Sequence, residues 1–566
     1  MKITQVDIHN FRGIVDARIA LCDYSLLVGQ NNAGKSTIID ALRAFYEKDG
    51  AKYKPEQDFP FLPTADKESW IEMTFTLSDE EWASLAEVYK LSNHTLRLRK
   101  YFQTTTKTHD DKAATGSIFG YRKDGSISNE PFYGAKNVQS GKIGDVVYIP
   151  AVSRLDEHTK MSGPSVLRDL LVNVLEDLVD DSPAFDQFNK GFADFAEKVI
   201  SEETSDGRSL DKLQDQLDDL LGDWGVSFKL KLTAPSTSEI IKSMLSHHFE
   251  EKTHAKTLAA DKFGSGFQRQ FIYSLIQVGA QFAGKKSIKK SKDFAPSMML
   301  ILFEEPEVFL HPPQQEALAK SLSKLVETSN RQVICSTHSP HFVSKNTANI
   351  PSLIRVKRTN GYTQTCQVDN DRWSEVVESN QAINALAAKW PKMARKLAAD
   401  DWKPEMESVK NFLWLNPDRC CMFFANHVLL VEGTAEQAFI NRLIGDCVIP
   451  SFPGGLYVLD CLGKYNIHRF MNLLIALGIS HSVLHDDDLE ADEHKDLNEL
   501  ILASRDGALT VNVKTLRGNI ETVLGIPSTS PHRKPQHLLY MYEHGQINKS
   551  CLSKFLDVLG QSLVKQ

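Results

Sequence analysis

Long apolar stretches are missing from this chain of 566 residues: the longest unbroken runs, 298–303 and 420–425, are six residues each. A helix that crosses a bilayer needs ~20, so no membrane span is expected. Cysteine is scarce. Eight residues, at 22, 335, 366, 420, 421, 447, 461 and 551, form no CxxC pair and no zinc-ligand spacing. They read as reduced thiols, which excludes a disulfide-stapled scaffold. A basic excess is absent as well, with 65 Lys and Arg against 73 Asp and Glu for a net charge of −8, so no global charge signature advertises nucleic acid. Internal repeats and simple tracts are lacking. The nearest is 285–292, with five lysines in eight residues, a candidate phosphate contact that reads more readily as an exposed loop. The opening MKITQVDIHNFRG offers no apolar segment suited to an export signal. What remains is an ordinary globular composition, 42% hydrophobic and 24% charged, in a length that predicts about three to four domains. The expectation is a multidomain cytoplasmic protein.

Apolar patterning divides the chain. Ile3, Val6 and Ile8 predict a strand, Tyr24–Val28 a second, and 37–45 a helix; 103–117 reads as a loop and 146–149 as a strand ending at Pro150. From about 156 to 251 the character turns acidic, helical and amphipathic. There Leu210, Leu213, Leu217 and Leu220 make an apolar seam, expected to be an ordinary buried helix face. Strands resume at 298–303 and 333–336, a helical connector covers about 380–410, and beyond 428 strands and helices alternate again (428–431, 457–459, 483–484).

Gly29-Gln-Asn-Asn-Ala-Gly34-Lys35-Ser36 matches G-x-x-x-x-G-K-[ST], with Thr37 following, a strand before and a helix after. Its glycines let the backbone N–H groups of Asn31, Asn32 and Ala33 turn inward around phosphate, where the helix N-terminus adds partial positive charge. Lys35 would bridge the β- and γ-phosphates of ATP, and Ser36 would give its hydroxyl to Mg²⁺. The apolar run 298–303 reads as a buried parallel strand ending on Glu304 and Glu305, where ligands bind in open α/β sheets. Glu304 would hold the Mg²⁺ shell and Glu305 would polarise the attacking water. Gly264-Ser265-Gly266 leads into a helix and offers a second anion site. His338, 33 residues after Glu305, follows the strand 333–336 and is expected near the same sheet end.

In the last section, 428–431 is a strand ending on Glu432, with Glu436 one helical turn on. Fifty-four residues after Glu432, another strand ends on Asp486, Asp487 and Asp488. A strand, the turn Gly463-Lys464 and a helix lie between them. Parallel pairing would put both acid groups on one sheet edge, and converging carboxylates repel unless they share divalent metal. The stretch 486–496 holds seven acids in eleven positions, and the part from Glu490 to Asp496 reads as a solvated edge. Two Mg²⁺ or Mn²⁺ ions could activate water and stabilise the departing oxygen of a phosphodiester. Glu521 offers a further carboxylate and Lys534 a cation for developing phosphate charge.

In order and spacing the first set resembles ABC-type ATPases of the SMC and RecF kind, including Phe11-Arg12 after the first strand. The resemblance implies that two heads sandwich ATP, each signature loop (Gly264 to Gly266) completing the other subunit's site, with His338 at the γ-phosphate. Glutamate and then DxD at successive strand ends is similar to the Toprim pattern of topoisomerases, primases and certain nucleases. The two together in one chain resemble the OLD (overcoming lysogenization defect) family of ATPase-nucleases. Leu415-Asn416-Pro417, Phe423-Phe424-Ala425 and Glu305-Pro-Glu307-Val-Phe-Leu310-His311-Pro312 fit as well. The resemblance implies an α/β fold: an ABC-type ATPase over 1–154 and 256–375 interrupted by a helical dimerisation insert at 155–255, a connector at 376–424 and a Toprim domain at 425–566. It implies metal on Glu432, Glu436, Asp486, Asp488 and Glu521 with Lys534 assisting, and leaves Asp487, the middle of DxD, unassigned. It also implies DNA as substrate, a homo-oligomer (dimer or tetramer), and a place in antiphage systems such as Gabija or retrons, with a helicase or reverse transcriptase as partner. Two other readings stay open on the residues themselves: an SMC-like DNA clamp whose acidic domain only binds, and a Toprim enzyme acting on RNA.

Overall fold

The structure, a computed structural model, describes residues 1–47, 50–108, 110–133, 143–151, 159, 167–168, 171, 182–221, 226–236, 239–240, 248–251, 256–258, 262–282, 294, 296, 298–327, 330–347, 349–397, 405–449, 455–488 and 491–564. The chain divides into two compact units, Met1–Ala151 with Ser291–Gln566, and Val152–Lys290. Among the described residues no helix is long and apolar enough to cross a membrane. The lysine run 285–292 lies outside the described residues.

Three sheets organise the larger unit. β1 (Lys2–Phe11), β2 (Ile14–Ala20), β4 (Ser69–Thr76), β5 (Thr95–Gln103), β6 (Ile118–Tyr121) and β7 (Ile127–Tyr133) form an antiparallel sheet in the order β2-β1-β4-β5-β6-β7. Its inner face buries Ile3, Ile8, Ile71, Met73, Leu96 and Leu98, which pack on Ile38, Leu42 and Phe45 of the helix Lys35–Tyr46.

The second sheet carries the nucleotide motifs. β3 (Tyr24–Val28), β8 (Asp145–Ile149), β11 (Met299–Glu304), β12 (Arg331–Ser336), β13 (Leu353–Thr359) and β14 (Tyr362–Gln367) lie in the order β14-β13-β3-β12-β11-β8. All neighbours are parallel except β14 on β13. Every residue of β3 is buried, as a strand covered on both faces requires. The register sets Glu304 beside Ser336 and Ser336 beside Leu27. The ends of β3, β12 and β11 therefore share one edge.

The third sheet is all parallel: β15 (His427–Val431), β16 (Leu456–Asp460), β17 (Ser480–Asp486) and β18 (Thr510–Leu516), in the order β16-β15-β17-β18. A turn of 3₁₀ helix, Arg419–Phe424, runs into β15. Arg355 of β13 fastens this junction. Its guanidinium donates to the carbonyls of Phe423 at 3.4 Å, Ala425 at 3.1 Å and Gly478 at 2.9 Å.

The smaller unit contains the helices Pro183–Ser201, Leu210–Leu221 and Ser265–Phe282 and the hairpin of β9 (Phe249–Glu251) with β10 (Lys256–Leu258). Here the leucine seam departs from expectation. The helix Leu210–Leu221 forms, but none of its residues is buried, and Leu213 and Leu220 are 48% and 76% exposed. Periodicity fixes which face is apolar; burial needs a full cover, and among the described residues the neighbours of this helix leave its leucines half-buried or exposed.

Candidate functional site

Two constellations stand at the carboxyl edges of the two parallel sheets. In the first, the loop after β3 needs glycine at its two ends. Gly29 has φ +142° and a Cβ there would sit 2.1 Å from the Val356 carbonyl oxygen; Gly34 has φ +109° and faces the Thr363 side chain. The helix Lys35–Tyr46 begins with no side-chain cap, so its first N–H groups stay available to an anion. Asn31, Asn32 and Ser36 are exposed, Thr37 half-buried, Ala33 buried. Lys35 folds back, Nζ donating to the carbonyls of Gly29 at 2.9 Å and Gln30 at 2.8 Å. Burial lowers its pKa to about 8, with Glu305 and Glu307 opposing.

Across the edge, Glu304 accepts the Tyr148 hydroxyl at 2.7 Å, and the Arg43 guanidinium covers the Tyr148 ring at 3.6 Å. Glu305, at φ +42°, turns its carboxylate to His338 Nε2 at 3.2 Å. Burial and then Lys35 lower the His338 pKa, while Glu305 raises it. Glu307, which sequence reasoning quoted but gave no role, is buried and accepts the His338 backbone N–H at 2.5 Å. The ring of Phe424 lies against His338, centroids 6.4 Å apart. Gly264, Ser265 and Gly266 belong to the smaller unit, at the start of the helix Ser265–Phe282, where Gln268 Nε2 donates to the Phe263 carbonyl at 2.8 Å.

The second constellation surrounds the ends of β15 and β17. Glu432 follows β15, and Glu436 sits in the first turn of the helix Thr434–Gly445, accepting the Gly433 N–H at 3.1 Å. Lys534 gathers three acids: Nζ is 3.1 Å from Glu521, 3.4 Å from Glu436 and 3.9 Å from Asp486. Burial alone would lower its pKa, but Glu436, Asp486 and Glu521 raise it. Glu432 Oε2 and Asp486 Oδ1 are buried with no hydrogen-bond partner among the described residues. Burial pushes Glu432 up to about 7, Lys464 opposing and Asp488 and Glu436 adding. Asp486 rises to about 8 through burial and then through Glu432 and Glu436. Asp487 accepts the Gly518 N–H at 2.8 Å and braces the turn, a use that suits its unassigned place in DxD.

Sequence reasoning missed Lys464. Its Nζ donates to the Asp486 carbonyl at 2.6 Å and contacts Asp488 Oδ2 at 3.1 Å. The signal was there: a lysine just beyond a parallel strand falls on the ligand-binding edge. The acids suit a divalent cation, since buried carboxylate oxygens without partners call for a positive charge. Among the described residues no three acids or histidines form a ready-made cage; Lys534 is the cation on which Glu436, Asp486 and Glu521 now converge.

Comparison with known proteins follows the same division. The AAA ATPase domain model matches residues 1–137 and 84–343, and the overcoming lysogenization defect protein-like TOPRIM domain matches 423–488. The Old nuclease of Escherichia phage P2 is 25% identical over 540 residues, 91% of this chain and 84% of its own. Endonuclease GajA of Bacillus cereus (strain VD045) is 25% identical over 509 residues, 88% and 76%. Among solved structures, an SMC head bound to the C-winged helix domain of ScpA aligns with 66% of this chain and 100% of its own, at 13% identity and a TM-score of 0.38. An AAA ATPase domain matched over more than half the chain, an OLD-like TOPRIM domain behind it and nuclease relatives aligned over most of its length make the chain a member of the OLD family of ATPase–Toprim nucleases.

Proposed function

We propose that the chain is a metal-dependent DNA endonuclease whose cutting is governed by ATP at its own ATPase site, working in the bacterial cytoplasm in defence against phage. The observation that carries the nuclease reading is the pair of unpartnered buried oxygens on Glu432 and Asp486, set beside Lys534 at the edge of a parallel sheet. Glu432, Glu436, Asp486, Asp488 and Glu521 would hold the cation, Mg²⁺ or Mn²⁺, which when bound supplies an acidified water and a counter-charge for phosphate oxygen. Glu436 and Glu521 keep Lys534 in place. Its ammonium, half-withdrawn from solvent, is poised for the charge that grows on a phosphodiester under attack.

At the other site, Lys35 would leave the Gly29 and Gln30 carbonyls for the β- and γ-phosphates, with Ser36 and Glu304 holding Mg²⁺. Glu305 would orient the attacking water and His338 the γ-phosphate. Gly264, Ser265 and Gly266 would complete the site of a second copy, so the working form is a dimer or tetramer. The names of the relatives, Old nuclease and endonuclease GajA, support the cutting activity, and a helicase or a reverse transcriptase with its nucleic acid is the kind of partner that the defence reading brings.

The test uses circular DNA, linear DNA and RNA, with and without Mn²⁺ and ATP. Glu432→Ala or Asp486→Ala should abolish cutting and leave ATP hydrolysis intact. Undiminished cutting by either variant would be decisive against the nuclease site; no cutting by the parent protein would favour the clamp.

A further inference from the structure

The turn after β16 is stitched to the strand beside it. The Cys461 N–H donates to the Val431 carbonyl at 3.0 Å and the Gly463 N–H to the Glu432 carbonyl at 2.7 Å. Gly463 stands at φ +108°, which a side chain would resist. This stitching launches Lys464 over the end of β15. In the order β16-β15-β17 it crosses a strand that is not its own, a gap of about 10 Å between the outer two, to reach the DxD turn on β17.

There it makes two unlike bonds. One goes to a carboxylate, Asp488 Oδ2, and one to a neutral backbone carbonyl, that of Asp486. A mere counter-charge has no need of the second. Asp488 itself holds φ +46°, a left-handed conformation that residues other than glycine adopt rarely. His494 Nδ1 lies 3.5 Å from the same carboxylate oxygen. Lys464 is 2% exposed along its side chain, too deep to meet substrate directly. The two lysines thus divide the work: Lys534 faces Glu436, Glu521 and the Asp486 side chain, and Lys464 faces Asp488 and the Asp486 main chain.

We propose that Lys464 is a positioning residue of the nuclease site: by tying the Asp486 carbonyl to the Asp488 carboxylate across the end of β15, it holds both acids in the arrangement that receives the divalent cation. The inference rests on the nuclease reading of these acids. It makes Lys464 a help to metal binding, although a nearby positive charge acting by repulsion alone would hinder it.

That opposition of sign is the experiment. Mn²⁺ binding to the full-length protein, without nucleotide or DNA, is measured by electron paramagnetic resonance for the parent, Lys464→Met, Lys464→Arg and Asp486→Asn. Lys464→Met should weaken Mn²⁺ binding about tenfold or more, the range found when a partner of a metal ligand is removed. Lys464→Arg, which can still donate to both oxygens, should recover part of the loss. In cleavage assays the Mn²⁺ concentration for half-activity should rise in step, with ATP hydrolysis and the melting profile of Lys464→Arg close to the parent. Equal or tighter Mn²⁺ binding by Lys464→Met would overturn the proposal. If the parent and Asp486→Asn bind Mn²⁺ alike, it is the underlying nuclease reading that fails.

Discussion

Replacing Glu432 by glutamine should destroy DNA cutting and stabilise the protein when no divalent metal is present. The carboxyl is buried beside Asp488 and Glu436, one of its oxygens has no hydrogen-bond partner among the described residues, and its pKa is pushed up to about 7 from 4.5. The sign follows from linkage. A carboxyl whose folded value lies above its unfolded value costs nothing below pH 4.5; its burden builds as pH rises through 7 and is complete above that. That burden is about 3 kcal/mol, less whatever the new amide loses by lacking partners of its own, so a net gain of about 1–2 kcal/mol is expected at pH 8. For a domain of Toprim size this is a rise in Tm of roughly 3–8 °C. Calorimetry of parent and Glu432→Gln in a chelator, at pH 5 and pH 8, reads it directly: the variant should melt above the parent at pH 8 and at or slightly below it at pH 5, because the loss on the amide does not depend on pH. Adding Mn²⁺ should raise the Tm of the parent more than that of the variant. A Glu432→Gln protein that melts at or below the parent at pH 8, or a difference that ignores pH, would refute the reasoning.

Three further outcomes are expected. Lys35→Ala should lower affinity for an ATP analogue about tenfold or more, because it removes the cation from the phosphate loop; equilibrium binding checks it. Glu305→Gln should keep that binding and slow ATP hydrolysis about 100-fold, since an amide orients water but takes no proton; single-turnover hydrolysis checks it. Burial lowers His427 and His468 to about 4, so each stays neutral in the fold and gains a proton only on unfolding as pH drops from 6.5. Each should withdraw about 3 kcal/mol of stability between pH 6.5 and 4, and His427→Gln should flatten that fall in denaturant titrations.

The parts of the two sites that the sequence announces are those written along the chain. A buried parallel strand is an unbroken apolar run, so its end can be read off directly. That is why Glu304, Glu305, Glu432 and Asp486 could be placed at strand ends, and why a phosphate loop between strand and helix was plain. What joins one strand end to another is written nowhere in local order. Lys464 looks like one more polar residue after a turn glycine until β15 is known to lie between its strand and β17. Tyr148 meets Glu304 only because β8 pairs with β11, 150 residues on in the chain. Glu307 shares a motif with Glu305, but its grip on the His338 backbone depends on β12 standing beside β11. The leucines of the helix Leu210–Leu221 fail for the opposite reason: their period is legible and their partner is not.

Arg355 makes the ATPase and the Toprim domain poor candidates for exchange as separate modules. Its three acceptors, on Phe423, Ala425 and Gly478, lie at the junction where the Toprim match begins, at 423, and deep within that match. A chain severed at that junction would leave one piece with a buried guanidinium facing vacated space and the other with bare carbonyls. Grafting this Toprim domain onto a different ATPase would therefore require an arginine waiting at the same point of the host's sheet. Recombination that preserves reading frame but not this one side chain would join two intact folds along a surface that no longer closes.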